Sequence, residues 1–83
     1  MKIRIDETTY EGSATEIMDQ LRELSFDGAE FASTKNYIHY LRDNFIRMTG
    51  LPCELPEGDT ESRARHMMDR LAEIGAIELL EDV

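Results

Sequence analysis

Three residues in the second half of the chain have types and a spacing that could bind a phosphate group. Arg63, His66 and Arg70 are three and four residues apart in the segment ESRARHMMDR, so they form one stripe if the segment is helical. Arginine and protonated histidine are the donors that phosphate groups prefer. The same helix also offers four ion pairs at helical spacing, which are Asp59 with Arg63, Glu61 with Arg65, His66 with Asp69, and Arg70 with Glu73. We therefore interpret the stripe first as a solvated helix face and second as a candidate interaction site.

A stronger candidate lies in residues 34–50, which carry a net charge of +2 in a chain with a formal net charge of −9. Its members are Tyr37, Tyr40, Asn44 and Arg47. Tyrosine and arginine are enriched at the residues that dominate protein–protein binding. The alternative is that the tyrosine rings only border the core with their hydroxyls in water, and we favour that interpretation for Tyr37. For the other three residues both interpretations remain open.

Residues suited to metal binding or nucleophilic catalysis do not form a recognisable motif. His39, Cys53 and His66 belong to three separate segments, and no pair of them has the spacing of a metal site. Cys53 follows one proline closely and precedes another, with no activating residue beside it. The glycines are isolated, so no phosphate-binding loop is present. We expect no catalytic residue, no metal and no cofactor.

Three predicted helices position these residues. Ser13 and Glu16 form a capping box at the start of a helix over about 14–25. Ser33 and Gly50 bound a second helix over 34–49, whose predicted buried stripe is Ile38, Leu41, Phe45 and Met48. Asp59 and Gly75 bound a third over 60–74, whose predicted apolar face is Ala64, Met67, Met68, Leu71 and Ile74. Phe26 and Phe31 are expected to fill the core from the connection between the first two helices.

Short strands are predicted at both ends of the chain. In MKIRID apolar and charged residues alternate, and a second extended run over 8–11 follows a turn, which indicates an N-terminal β-hairpin. The C-terminal run beginning at Ile77 is predicted to pair with the first strand. In that register the outward-facing basic and acidic residues lie opposite one another, and these are Lys2, Arg4, Glu78 and Asp82.

The elements together predict a small α+β fold in the order ββαααβ. The N-terminal hairpin and the C-terminal strand pack on three helices, and residues 1–83 form a single domain.

The composition of the chain disfavours some classes of function but does not identify a particular function. The strong negative charge opposes binding to nucleic acid, and the single cysteine favours a reducing, cytoplasmic setting. No apolar run is long enough to span a membrane. We expect a non-catalytic protein–protein interaction module whose partner is another protein or a second copy. It would bind through helix 34–49 or through the free edge of the hairpin, since an exposed edge strand can pair with another chain. The alternatives are a nucleic-acid-associated regulator using helix 34–49 or 60–74 and, more remotely, a small enzyme or metal-binding protein.

Overall fold

A computed structural model of the chain describes residues 1–24 and 33–81. Its elements are β1 (Lys2–Ile5), β2 (Thr8–Glu11), α1 (Ala14–Leu24), α2 (Thr34–Thr49), α3 (Thr60–Glu73) and β3 (Glu78–Glu81). The predicted α+β fold and the order ββαααβ are confirmed. The predictions for Phe26, Phe31 and Asp82 fall outside the described residues.

The three strands form one antiparallel sheet in the order β2-β1-β3. A two-residue turn joins β1 to β2, and Asp6 in that turn has a φ of 55°. Aspartate tolerates this left-handed conformation better than most residues, so the turn closes without the usual glycine. On the other side of β1, Arg4 pairs with Glu78 of β3, as the alternation of charges predicts.

A bulge in β3 adjusts the register between β1 and β3. Ile3 lies opposite Leu79, whereas Lys2 lies opposite Glu81, so Leu80 is the additional residue. Lys2 also lies opposite Glu11 of β2. The bulge thus places Lys2 between two acidic residues on the neighbouring strands.

The three helices begin at the predicted residues, and α2 also ends as predicted, whereas α3 ends at Glu73, one residue before its predicted end. At the start of α1 the amide of Glu16 donates to Ser13 Oγ over 3.0 Å, and the Glu16 carboxylate accepts from the Ser13 amide over 3.2 Å. Ser33 and Asp59 cap α2 and α3 by accepting from backbone amides three residues later. Gly50 ends α2 in the left-handed conformation, with a φ of 71°. These caps satisfy donors and acceptors that each helix end leaves without partners.

The core draws residues from the sheet and from all three helices. Its largest fully buried side chains are Ile3, Ile17, Met18, Ile38, Phe45, Met67 and Met68. Met48 and Ile74 were assigned to apolar helix faces but are 77% and 37% exposed. Each lies at the C-terminal end of its helix, where the apolar period continues beyond the neighbouring elements that could cover it.

Candidate functional site

The most apolar exposed surface of the described residues follows α2 and the residue after its cap. Seven large hydrophobic side chains are exposed in the described ranges, and four of them lie within residues 40–51, namely Tyr40, Ile46, Met48 and Leu51. One flank of α2 carries four residues at successive intervals of four, three and one, namely Tyr40, Asn44, Arg47 and Met48. We call Tyr40, Asn44, Arg47 and Met48 the Tyr40 face.

The Tyr40 face rests on a buried tyrosine. Tyr37 is only 8% exposed, and its ring is stacked with that of Tyr40 at a centroid distance of 6.3 Å and an interplanar angle of 29°. Burial raises the pKa of the Tyr37 phenol, and the nearby Tyr40 and Tyr10 raise it further. Tyr37 therefore belongs to the core and supports the exposed ring from below, so the predicted surface keeps Tyr40, Asn44 and Arg47.

Met48 was missed as a surface residue because its angular position on α2 is close to that of the buried side chains. It lies two residues before Gly50, in the last turn of the helix, and is 77% exposed. The glycine that ends the helix was the available signal, since a side chain in a last turn often projects past the adjacent elements. The structure adds Met48 to the three surface residues that remain from the prediction.

The second predicted candidate, Arg63, His66 and Arg70, borders the segment between α2 and α3. Arg70 Nη2 donates to the Pro52 carbonyl over 2.7 Å, and Arg63 Nε donates to the Pro56 carbonyl over 3.1 Å. The segment therefore runs back along α3 with two arginines binding its backbone. The spacing that resembled a phosphate site instead matches two carbonyls of the same chain.

Arg70 has further contacts that fix its position. Its guanidinium lies over the ring of Phe45 at 4.8 Å from the centroid, and Nη1 pairs with the Glu73 carboxylate over 2.5 Å. The ion pair with Glu73 confirms one of the four predicted pairs. With a ring, a carbonyl and a carboxylate as partners, the guanidinium of Arg70 acts as an anchor for three segments of the fold.

An open groove of about 540 Å³ lies between Pro52, Glu54, His66 and Arg70. The carboxylate of Glu54 gives this groove an acidic wall, and the adjacent guanidinium is already paired with Glu73. Neighbouring Cys53 has a free, buried thiol. In the described ranges no three histidine, cysteine or acidic side chains come together as metal ligands would.

Glu61 has a contact that its sequence position did not reveal. Its carboxylate accepts from the backbone amides of Ala14 and Thr15 over 3.1 and 2.9 Å, and from Thr15 Oγ1 over 2.8 Å. It therefore caps α1 from α3, 46 residues away in sequence from Thr15. Burial raises the pKa of Glu61, but the bonds from Thr15 and Ala14 outweigh burial and lower it overall.

Comparisons with models of protein families, with curated proteins and with solved structures give no match for this chain. Within residues 1–24 and 33–81, no helix combines the length and apolar character needed to cross a membrane.

Proposed function

We propose that the chain is a non-catalytic interaction module that binds another protein through the Tyr40 face. The observation that carries the proposal is that two large apolar side chains of the Tyr40 face are exposed on one flank of α2, Tyr40 by 47% and Met48 by 77%, beside the exposed Arg47. Exposed apolar groups that cluster in this way are typical of protein-binding surfaces.

The chemistry of the Tyr40 face favours a partner with both apolar and acidic groups. Tyr40 and Met48 supply apolar contact area, and methionine adapts to partners of different shape. Arg47 is exposed and would pair with a carboxylate of the partner. Because Tyr40 is already stacked on Tyr37, its ring loses less conformational freedom when a partner binds.

A different protein is favoured over a second copy as the partner. Each chain carries a formal net charge of −9, so association of two copies brings strong like charges together. The single thiol of Cys53 is free, as expected in the reducing, cytoplasmic setting that forms part of this proposal.

The alternative functions, a nucleic-acid-associated regulator and a small enzyme or metal-binding protein, have less support from the structure. A regulator that reads nucleic acid through helix 60–74 would need basic side chains free to reach phosphates, whereas the guanidinium of Arg70 already binds the Pro52 carbonyl and the Glu73 carboxylate. Binding of nucleic acid through helix 34–49 would be opposed by the negative charge of the rest of the chain. An enzyme or a metal-binding protein gains no supporting cluster from the described residues.

The experiment is affinity purification of the full chain from its source cells, followed by binding measurements with the purified partner. Tyr40→Ala and Arg47→Ser are compared with Thr9→Asp, which lies on β2 and matches the charge change of Arg47→Ser. We expect each α2 variant to weaken partner binding at least five-fold, about the effect of losing one hot-spot contact of 1 kcal/mol, while the control retains it. Equal binding by all variants would overturn the proposal, as would a stable homodimer that Tyr40→Ala dissociates.

A further inference from the structure

A row of basic side chains occupies the flank of α2 opposite the Tyr40 face. Lys35, His39 and Arg42 are four and three residues apart, and Ile46 follows after four more, so the four residues share one side of the helix. We call Lys35, His39, Arg42 and Ile46 the basic stripe. At 1.5 Å per residue its length is about 17 Å, which a peptide of a few turns can follow.

Three side chains of the basic stripe are accessible, and the fourth, His39, is half-buried. Lys35 is exposed, the side chain of Arg42 is 32% exposed, and Ile46 is 40% exposed. Arg42 donates to the carboxylate of the adjacent Asp43 over 3.0 Å through Nη2, an ion pair at the surface that a competing carboxylate can replace. The stripe thus combines cations with an apolar residue at one end.

A further cation joins the stripe from α3. Burial lowers the pKa of His39 most, and the charges of Arg42, Arg63 and Lys35 lower it further, while Asp43 acts in the opposite direction. The charge of Arg63 on α3 thus acts on the imidazole together with the two cations of α2. Arg63 Nε donates to the Pro56 carbonyl, which holds the side chain in place and uses one of its five N–H groups.

The positive charge of this region favours a ligand that is acidic and short. The basic stripe and Arg63 bring together the positive charges of Lys35, Arg42 and Arg63 beside the single carboxylate of Asp43, whereas the whole chain carries −9. A long polyanion that extends past the stripe meets the repulsion of the remaining surface, but a short acidic segment does not. An apolar side chain of that segment can also contact Ile46.

We propose that the basic stripe and Arg63 bind a short acidic helical segment of the partner protein, with carboxylates at Lys35, Arg42 and Arg63 and an apolar residue at Ile46. This inference rests on the proposed function, because it names the partner chemistry for the flank of α2 opposite the Tyr40 face. Between the two surfaces lie Asn36 and Asp43, whose carboxylate is paired with Arg42, so one partner can contact both surfaces.

The test measures fluorescence anisotropy of the full chain with a labelled 14-residue helical peptide. The peptide has glutamates at three positions spaced by four and three residues, and a leucine four residues after the last. A second peptide replaces the glutamates by glutamines, and a third probe is a 12-nucleotide single-stranded DNA. We expect saturable binding of the glutamate peptide at low salt, at least ten-fold weaker binding of the glutamine peptide, and weaker binding of the DNA.

Variants of the protein locate the binding. Lys35→Ala and Arg42→Ala should each weaken the glutamate peptide about two- to five-fold, the range for an exposed ion pair, while the charge-matched Thr9→Asp leaves it unchanged. Failure to bind the glutamate peptide, equal binding of the glutamine peptide, or tighter binding of DNA would overturn the inference. If Tyr40→Ala abolishes binding of the purified partner while Lys35→Ala and Arg42→Ala leave it unchanged, the proposed function stands and this inference fails.

Discussion

The ring of Tyr40, which is 47% exposed, is stacked on the ring of Tyr37, which is 8% exposed, with 6.3 Å between the centroids. The two residues are three apart on α2, so one turn of helix connects the core to the surface. The two tyrosines therefore have different roles. Tyr37 contributes to folding, and Tyr40 presents a supported aromatic ring to solvent.

The first prediction separates the two roles. Tyr37→Ala removes a buried aromatic side chain and should lower the free energy of unfolding by about 3 kcal/mol, whereas Tyr40→Ala should lower it by less than about 1 kcal/mol. Urea denaturation followed by circular dichroism measures both values. Tyr37→Phe is the control that keeps the ring and should be close to the original protein. Equal losses for the two alanine variants would contradict the assignment of Tyr37 to the core.

The second prediction concerns the cap that Glu61 provides for α1. Glu61→Ala removes the acceptor of three hydrogen bonds and should lower the free energy of unfolding by about 1–2 kcal/mol, as for loss of a helix cap. Glu57→Ala, an exposed acid in the segment before α3, is the control and should have little effect. Chemical denaturation at neutral pH compares the two.

The third prediction follows from the lowered pKa of Glu61. A carboxyl whose pKa is lower in the folded chain than its ordinary value of 4.5 contributes stability above pH 4.5 and loses it as the pH falls through the folded pKa. Glu61→Gln removes this contribution, so stability should fall less steeply below pH 4.5 than in the original protein. Urea midpoints measured between pH 7 and pH 3 give the two curves. Parallel curves would show that Glu61 is not the group responsible.

The fourth prediction tests Arg70 as the anchor of the segment after α2. Arg70 donates to the Pro52 carbonyl, and the next residue, Cys53, is 5% exposed. Arg70→Ala should release this segment and raise the rate at which Ellman's reagent modifies Cys53 under native conditions by about ten-fold, corresponding to a local opening made easier by 1.4 kcal/mol. Arg47→Ala, which removes an exposed arginine of α2, should leave the rate unchanged. The anchoring role is wrong if both variants react at the original rate.

The fifth prediction uses His39 to report on an acidic ligand. Burial lowers the pKa of His39 most, the charges of Arg42, Arg63 and Lys35 lower it further, and the charge of Asp43 opposes them. A ligand carboxylate favours the protonated imidazole, so affinity for the glutamate peptide should increase as the pH falls from 7.5 through 6.5 toward 5.5. His39→Gln should flatten this dependence, and His66→Gln should not. A dependence that survives His39→Gln would assign it to another group.

The sequence was sufficient for most of the fold because its signals are local. Ser13, Ser33 and Asp59 each bond to amides three residues later, so the helix starts follow from residues that are close in the chain. The pairing of β1 with β3 could be predicted from the sequence because Arg4 and Glu78 carry opposite charges in matching positions of an alternating pattern.

The partners of charged residues on α3 were predicted less well. Spacing within a helix assigns Asp59 to Arg63 and Glu61 to Arg65, but Asp59 caps its own helix and Glu61 caps α1. Arg63 binds the carbonyl of Pro56. Backbone groups of other segments compete with a side chain one turn away, and their positions are fixed only by the tertiary fold.

The candidate surface was predicted in part for a related reason. The helical period places Tyr40, Asn44 and Arg47 on one flank of α2, but it does not show how far the neighbouring elements extend along that helix. Tyr37 is therefore covered and Met48 is not. Coverage at the end of a helix depends on where α1 and α3 end in space, which the pattern of one helix does not contain.

The most direct test of binding through the Tyr40 face is photo-crosslinking in the source cells. A benzophenone amino acid replaces Tyr40 in one full-length variant and Thr9, an exposed residue of β2, in the other. We predict one crosslinked protein of defined mass from position 40 and none from position 9, with the product lost when Arg47→Ser is added. The same products from both positions, or none from position 40, would contradict the account.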